Sequence, residues 1–160
     1  MPWGDGTEGS GANSAFLKNT PVEINEAEVP IRILRYGLAA DSGGPGKFRG
    51  GMATALHFRA GAPNTRVTAR NRDRTRFTSW GVLGGRSGAA SVFLLNPGAP
   101  TEVNLGNTDI LSIDPGDEIL VISGGAGGWG DPLTRDAGAV LLDVRRGFVS
   151  TVAARRDYGV

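Results

Sequence analysis

The chain has no cysteine and a single histidine, His57, among its 160 residues. Without thiols there are no disulfides and no thiolate metal sites. With one imidazole, a multi-histidine metal centre cannot be built, and a Ser-His triad has one available base. Neither sign of charge is in excess: 17 Lys and Arg against 16 Asp and Glu leave a formal net charge of +1. Bulk electrostatics therefore do not make this a nucleic-acid or membrane-surface binder. No apolar run approaches the roughly 18 residues of a membrane span. Residues 1–14 are polar and Gly-rich, without the basic start and apolar stretch of a signal peptide. A cytoplasmic protein is the expectation.

Glycine is in excess. The 26 glycines are about twice the usual share of roughly 7%, and they follow no collagen period. That composition predicts many tight turns and short strands. The densest stretch is Gly124-Gly125-Ala126-Gly127-Gly128-Trp129-Gly130-Asp131-Pro132. It demands backbone angles that side chains forbid. Such a loop is either a packed structural turn or a surface where a partner approaches the backbone closely.

Residues 1–19 read as an irregular arm with little to bury, and residues 20–160 as one β-rich domain. Strand signals begin at Val29, with Pro30 at a strand start and Ile31, Ile33 and Arg35 alternating against Arg32, Leu34 and Tyr36. Further candidates are residues 53–59, a long or bent strand over 66–77, then 91–95, 101–105, 109–113 and 117–122. Gly, Pro and Asn separate them, the spacing of antiparallel β structure. The expected fold is mainly β, an antiparallel sandwich or barrel-like domain. Two short helices are expected at the C-terminal end and none before it. Asp136 caps the first, with the stripe Ala137, Val140, Leu141, Val144 and a terminating Gly147. Ser150 caps the second, through Ala153, Ala154 and Arg155.

Several groups are candidates for chemistry. Loop 124–132 offers backbone N–H groups to an anion, with Gly124, Gly125, Gly127, Gly128, Trp129 and Asp131 as binding or interface residues. It lacks the Gly-Lys-Ser/Thr of a P-loop, and its Gly-x-Gly-x-x-Gly spacing is nearly free in so glycine-rich a segment. Arg66, Arg70, Arg72, Arg74 and Arg76 share parity, so one straight strand would put them on one face. Arg70, Arg72 and Arg74 are the centre of that row. It reads as a solvated strand face, as a site for an acidic ligand or acidic partner surface, or as a nucleic-acid contact, which little aromatic interleaving supports. His57, between Leu56 and Phe58, has no partner for catalysis beside it in sequence and reads as structural or exposed. Asp114-Pro115-Gly116-Asp117 reads as a turn between strands, and Trp80 as a core edge or an interface.

Ordered motifs then give a resemblance. They are Asn19-Thr20-Pro21-Val22-Glu23, Glu26-Ala27-Glu28-Val29-Pro30 with Arg35-Tyr36, and Asp41-Ser42-Gly43-Gly44-Pro45-Gly46-Lys47-Phe48-Arg49-Gly50-Gly51. Trp80-Gly81-Val82-Leu83-Gly84-Gly85, Asn96-Pro97-Gly98 and Pro115-Gly116-Asp117 follow, then Gly127-Gly128-Trp129-Gly130-Asp131-Pro132 and Val149-Ser150 with Ala153-Ala154-Arg155-Arg156-Asp157-Tyr158-Gly159. No single motif is diagnostic, but the ordered set resembles the C-terminal region of the B subunit of the hydantoinase/oxoprolinase family. The family is of ATP-dependent, multi-subunit enzymes. Some members hydrolyse cyclic amides such as hydantoins or 5-oxoproline; others, the acetone and acetophenone carboxylases, activate ketones for carboxylation. Its B subunits are much longer than this chain.

The resemblance implies a small subunit of a hetero-oligomeric, ATP-dependent carboxylase of the acetone or acetophenone type, supporting assembly and the active site of larger subunits. A split subunit of a hydantoinase or 5-oxoprolinase is the alternative, and an independent anion-binding module a second one. The chain alone is expected to be inactive, with no catalytic or metal-binding residue of its own and no cofactor bound. ATP and a divalent metal are expected on partner subunits. The expected partners are a larger A-type ATP-binding subunit and the remaining B-type part, not nucleic acid or membrane. Met1 ahead of a plausible arm fits a complete small subunit, and a cut fragment is the other possibility.

Overall fold

A computed structural model describes residues 3–8, 20–69 and 73–160. Among these residues seven strands form two antiparallel sheets. They are β1 Ile31–Leu38, β2 Thr54–Ala60, β3 Thr65–Thr68, β4 Val92–Leu95, β5 Val103–Asn104, β6 Ile110–Ile113 and β7 Glu118–Ile122. The larger sheet has the order β1-β2-β7-β4-β5, and β3 pairs with β6 in a separate ribbon. The larger sheet is open, with β1 and β5 at its edges, so these strands make a small sandwich and not a closed barrel.

The period of two explains the core. Phe58 and Ala60 of β2, Ile119 and Val121 of β7, and Phe93 and Leu95 of β4 face one way, and Val67, Leu111 and Ile113 of the ribbon pack against them. Phe93 and Ile119 are fully buried, which contributes about 1.5–3 kcal/mol each. The turn 114–117 joins β6 to β7 as a structural element. The Asp114 N–H donates to the Asp117 carboxylate, the Asp117 N–H donates to the Asp114 carbonyl, and Gly116 takes a φ of 95°.

The expected row of strands is found with local corrections. Residues 66–77 do not form one strand. β3 ends at Thr68, one last ladder bond runs from the Ala69 N–H to the Asp109 carbonyl, and a 3-10 turn spans Asp73–Thr75. The ribbon stops because its partner strand begins only at Ile110. In β1 the register shifts between Ile33 and Arg35, so Ile33 opposes Phe58 while Tyr36, not Arg35, opposes Leu56 on the same side. A bulge shifts every later side chain to the other face.

The C-terminal helices are as expected. Asp136 caps α2, Ala137–Arg145, by accepting the Ala139 N–H, and Ser150 caps α3, Thr151–Ala153, by accepting the Ala153 N–H. Gly147 takes a φ of 72° just past α2. A π-turn, Ala154–Tyr158, continues α3. Val140, Val149, Ala153, Ala154 and Tyr158 form a second core cluster.

One more helix, Val22–Glu28, precedes β1 and corrects the expectation of C-terminal helices alone. It has no side-chain cap and buries no residue, so it carries no apolar stripe to read. Its anchor is tertiary: the Glu26 carboxylate accepts the Ile33 N–H at 2.7 Å and pairs with Arg32. The strand start expected at Val29 is the end of this helix.

Candidate functional site

Three loops, 42–51, 80–89 and 124–131, lie against one another at the end of the sheet. Backbone hydrogen bonds knit them together. Loop 124–131 donates from Gly125 to Ala89, from Ala126 to Gly51, from Gly128 to Arg86, from Trp129 to Phe48 and from Gly130 to Val82. It accepts at Ala126 from Gly44, at Trp129 from Phe48, at Gly128 from Val82 and at Gly130 from Lys47. Five of its amides are therefore engaged inside the protein and are not aimed at an anion. The glycines permit this approach. A Cβ at Gly125 would sit 1.7 Å from the Ser42 carbonyl oxygen, and one at Gly127 would sit 1.9 Å from that of Trp80. No real side chain survives such contacts.

The nominated residues of this loop each have a place. Gly124 packs against Arg74, whose Cβ would lie 3.1 Å from a Cβ built on the glycine. Gly128 is enclosed by the Gly44 and Pro45 carbonyls. The Trp129 ring packs on Phe48, with centroids 5.7 Å apart. The Asp131 carboxylate caps the 3-10 turn Pro132–Thr134 by accepting the Leu133 N–H at 3.0 Å. Arg74 lies in the turn Asp73–Thr75 and not on a strand shared with Arg66. Arg70 and Arg72 lie outside the described residues. His57 is bound by Glu118, Nε2 to Oε2 at 2.8 Å, and the same carboxylate takes Arg59 at 2.6 and 3.0 Å. The Arg59 hydrogen bond, joined by that of His57, holds the Glu118 carboxyl below its ordinary value despite some desolvation.

Behind the loops lies a charge cluster that sequence reasoning missed. Arg49, Arg135 and Asp143 are almost wholly buried. Asp143 accepts from Arg49 at 3.3 Å and from Arg135 at 2.8 Å. Residues 3–8 complete it. Asp5 binds Arg135 and accepts the Arg49 N–H at 2.7 Å, and Glu8 binds the Arg49 guanidinium and the Met52 N–H. Burial opposes ionisation of Asp5, but the hydrogen bond and charge of Arg135, with the Arg49 N–H, outweigh it and lower its pKa. Arg49 also lies over the Phe148 ring, 5.3 Å from its centroid. The one sequence signal for this cluster is Asp143, an acid three residues on from Val140 on the buried side of α2. The tyrosine Tyr158 stands nearby, and burial pushes its phenol up to about 12. Among the described residues its hydroxyl has no hydrogen-bond partner.

A cavity of about 300 Å³ opens between Asp41, loop 86–89 and the C-terminal turn. Two guanidiniums reach it, Arg86 and Arg156, and both pair with the buried Asp157, at 2.8 and 2.6 Å. Among the described residues no three His, Cys, Asp or Glu side chains gather as a metal site, and no helix is long and apolar enough to cross a membrane.

The glycine loops of the sandwich close on one another over buried ion pairs. Comparison with known proteins places the chain. The sequence profile of the hydantoinase B/oxoprolinase family matches residues 1–132, and the chain belongs to that family. An uncharacterised protein of Methanocaldococcus jannaschii is 36% identical over 89% of this chain. The caprolactamase subunit beta of Pseudomonas jessenii is 35% identical over 95% of it. Among solved structures, nucleotide-free acetone carboxylase, from a study of ATP-dependent acetone carboxylation, superposes on 99% of the chain with a TM-score of 0.83 at 25% identity. The ATP-dependent caprolactamase of Pseudomonas jessenii superposes on 88% with a TM-score of 0.72 at 30% identity. The chain spans 25% and 29% of the length of the two sequence relatives and 25% of each structural one. These relatives include subunits of ATP-dependent enzymes, some carboxylating and some cleaving amides.

Proposed function

We propose that this chain is a scaffolding segment of a hetero-oligomeric, ATP-dependent carboxylase of the acetone or acetophenone type, acting in the cytoplasm, where ATP is at hand. The observation that carries the reading is the superposition of 99% of the chain on acetone carboxylase. Its role is to support assembly and the active site of larger subunits. Five of the eight amides of loop 124–131 are engaged by neighbouring loops, and Arg86 and Arg156 at the cavity pair with Asp157. These bonds tie the three loops into one piece, which supports a structural role, and in this reading the chain by itself is inactive. ATP and a divalent metal belong, in this reading, to a larger A-type subunit and to the remaining B-type part.

A second reading has its own support. The 35% identity to caprolactamase subunit beta over 95% of the chain favours a cyclic-amide hydrolase. One experiment separates the two. The chain is purified from its own source under mild conditions, its partners are weighed by native mass spectrometry, and the assembly is assayed with ATP. Fixation of bicarbonate onto acetone or acetophenone supports the carboxylase. Hydrolysis of caprolactam, hydantoin or 5-oxoproline supports the alternative. A partner-free chain that turns over either substrate class with ATP would overturn the scaffold role itself.

A further inference from the structure

Loop 77–83 inverts the usual distribution of apolar side chains. Phe77, Trp80 and Leu83 are 74%, 76% and 72% exposed, while the backbone that carries them is held firmly. The Val82 N–H donates to Gly128, and the Val82 carbonyl accepts from Gly130 and Gly85. The Ser79 carbonyl accepts from Gly88, and the Trp80 carbonyl seals against Gly127. Leu83 takes a φ of 52°, a left-handed conformation that a residue with a side chain adopts only under strain. A strained turn therefore holds Trp80 and Leu83 in water on a rigid platform. Large apolar anchors that are already ordered before binding lose little entropy on docking.

Charge gives the partner's chemistry. Arg74 and Arg76 stand exposed just ahead of the loop, and the acid beside Gly84, Asp131, has its carboxylate engaged in capping the Leu133 N–H. The complementary surface is an apolar pocket with a carboxylate rim. Length gives the occupant. In acetone carboxylase this fold takes up 25% of one chain, so a module of this kind has three quarters of a polypeptide to pack against.

We infer that loop 77–83 is the docking knob of this module. Trp80 and Leu83 enter an apolar, acid-rimmed pocket on the larger remaining part of a B-type chain. This rests on the subunit reading above and names the surface it uses.

The test uses the native assembly, with the larger chains identified by peptide mass spectrometry. A Trp80→Ala, Leu83→Ala double variant is compared with wild type. Its melting temperature as a free chain should not fall, because both side chains stand in solvent. Its dissociation constant for the B-type chain should rise at least about 30-fold. A change within about threefold in a fully folded variant overturns the knob while the subunit reading stands. Absence of any B-type chain from the wild-type assembly overturns both. A wild-type homodimer that the variant abolishes makes the occupant a second copy, and this proposal fails.

Discussion

Arg135 grips both carboxylate oxygens of Asp5, at 2.6 and 2.8 Å, across 130 residues of chain. The pair ties residues 3–8 to the turn that leads into α2. It also neutralises a guanidinium that would otherwise share one buried carboxylate, Asp143, with Arg49. Buried ion pairs of this kind add little net stability when complete and are expensive to break.

Asp5→Asn should therefore lower the unfolding free energy by about 1–3 kcal/mol at neutral pH, measured by urea denaturation. Acid should act through the same group. The folded-state pKa of Asp5 lies below its ordinary value, so its contribution is complete above about pH 4 and is lost as pH falls through the depressed value. Glu118, held down by Arg59, and Asp117, held down by the Asp114 N–H and Asn96, act in the same direction. The wild-type melting temperature should fall below about pH 4, and more shallowly in Asp5→Asn. Equal acid slopes would show that Asp5 is not ion-paired in solution.

Gly125→Ala places a methyl group where the Ser42 carbonyl oxygen stands. Two hydrogen-bonded loops must part to admit it. A loss of about 2–3 kcal/mol or more is expected in thermal or chemical denaturation. Gly98→Ala is the control, since its added Cβ meets no atom; it suffers the positive φ alone, for about 1 kcal/mol. Similar losses in the two variants would remove the interlocked loops as the explanation.

Tyr158→Phe deletes a buried hydroxyl that has no partner among the described residues. Stability is expected to stay level or rise by up to about 1 kcal/mol, because no hydrogen bond is lost and a desolvated oxygen goes. A fall of more than about 1 kcal/mol would reveal a bond made by that hydroxyl.

Local chemistry made much of the fold legible. Asp136, Gly147 and Ser150 announce helix ends because capping is decided within a few residues. The short apolar runs in 53–59 and 117–122, set off by Gly, Pro and Asp turns, announce strands because a strand needs only a few such residues between turns. Val22–Glu28 was illegible for the opposite reason: a helix that buries nothing has no stripe, and its stabilising contact is Glu26 reaching into β1. The arginine row dissolved because parity carries meaning only while a strand continues, and β3 ends at Thr68.

The candidate site divides in the same way. The glycine clusters at 43–51, 81–88 and 124–130 were visible in the sequence as backbone that must go where side chains cannot. That they interlock with one another, and so engage five amides of loop 124–131, was decided by the tertiary structure alone. Arg49, Arg135, Asp143 and Asp5 have no mutual spacing that a linear reading could detect. Their meeting depends on which loops the sheet brings together, and only in that shielded place do two arginines require three carboxylates. Sequence alone settled the absence of thiols, the balance of charge, the short strands and the ordered family motifs, because each is a property of composition or near neighbours. Which glycine faces which carbonyl, and which cation meets which acid, followed from long-range packing.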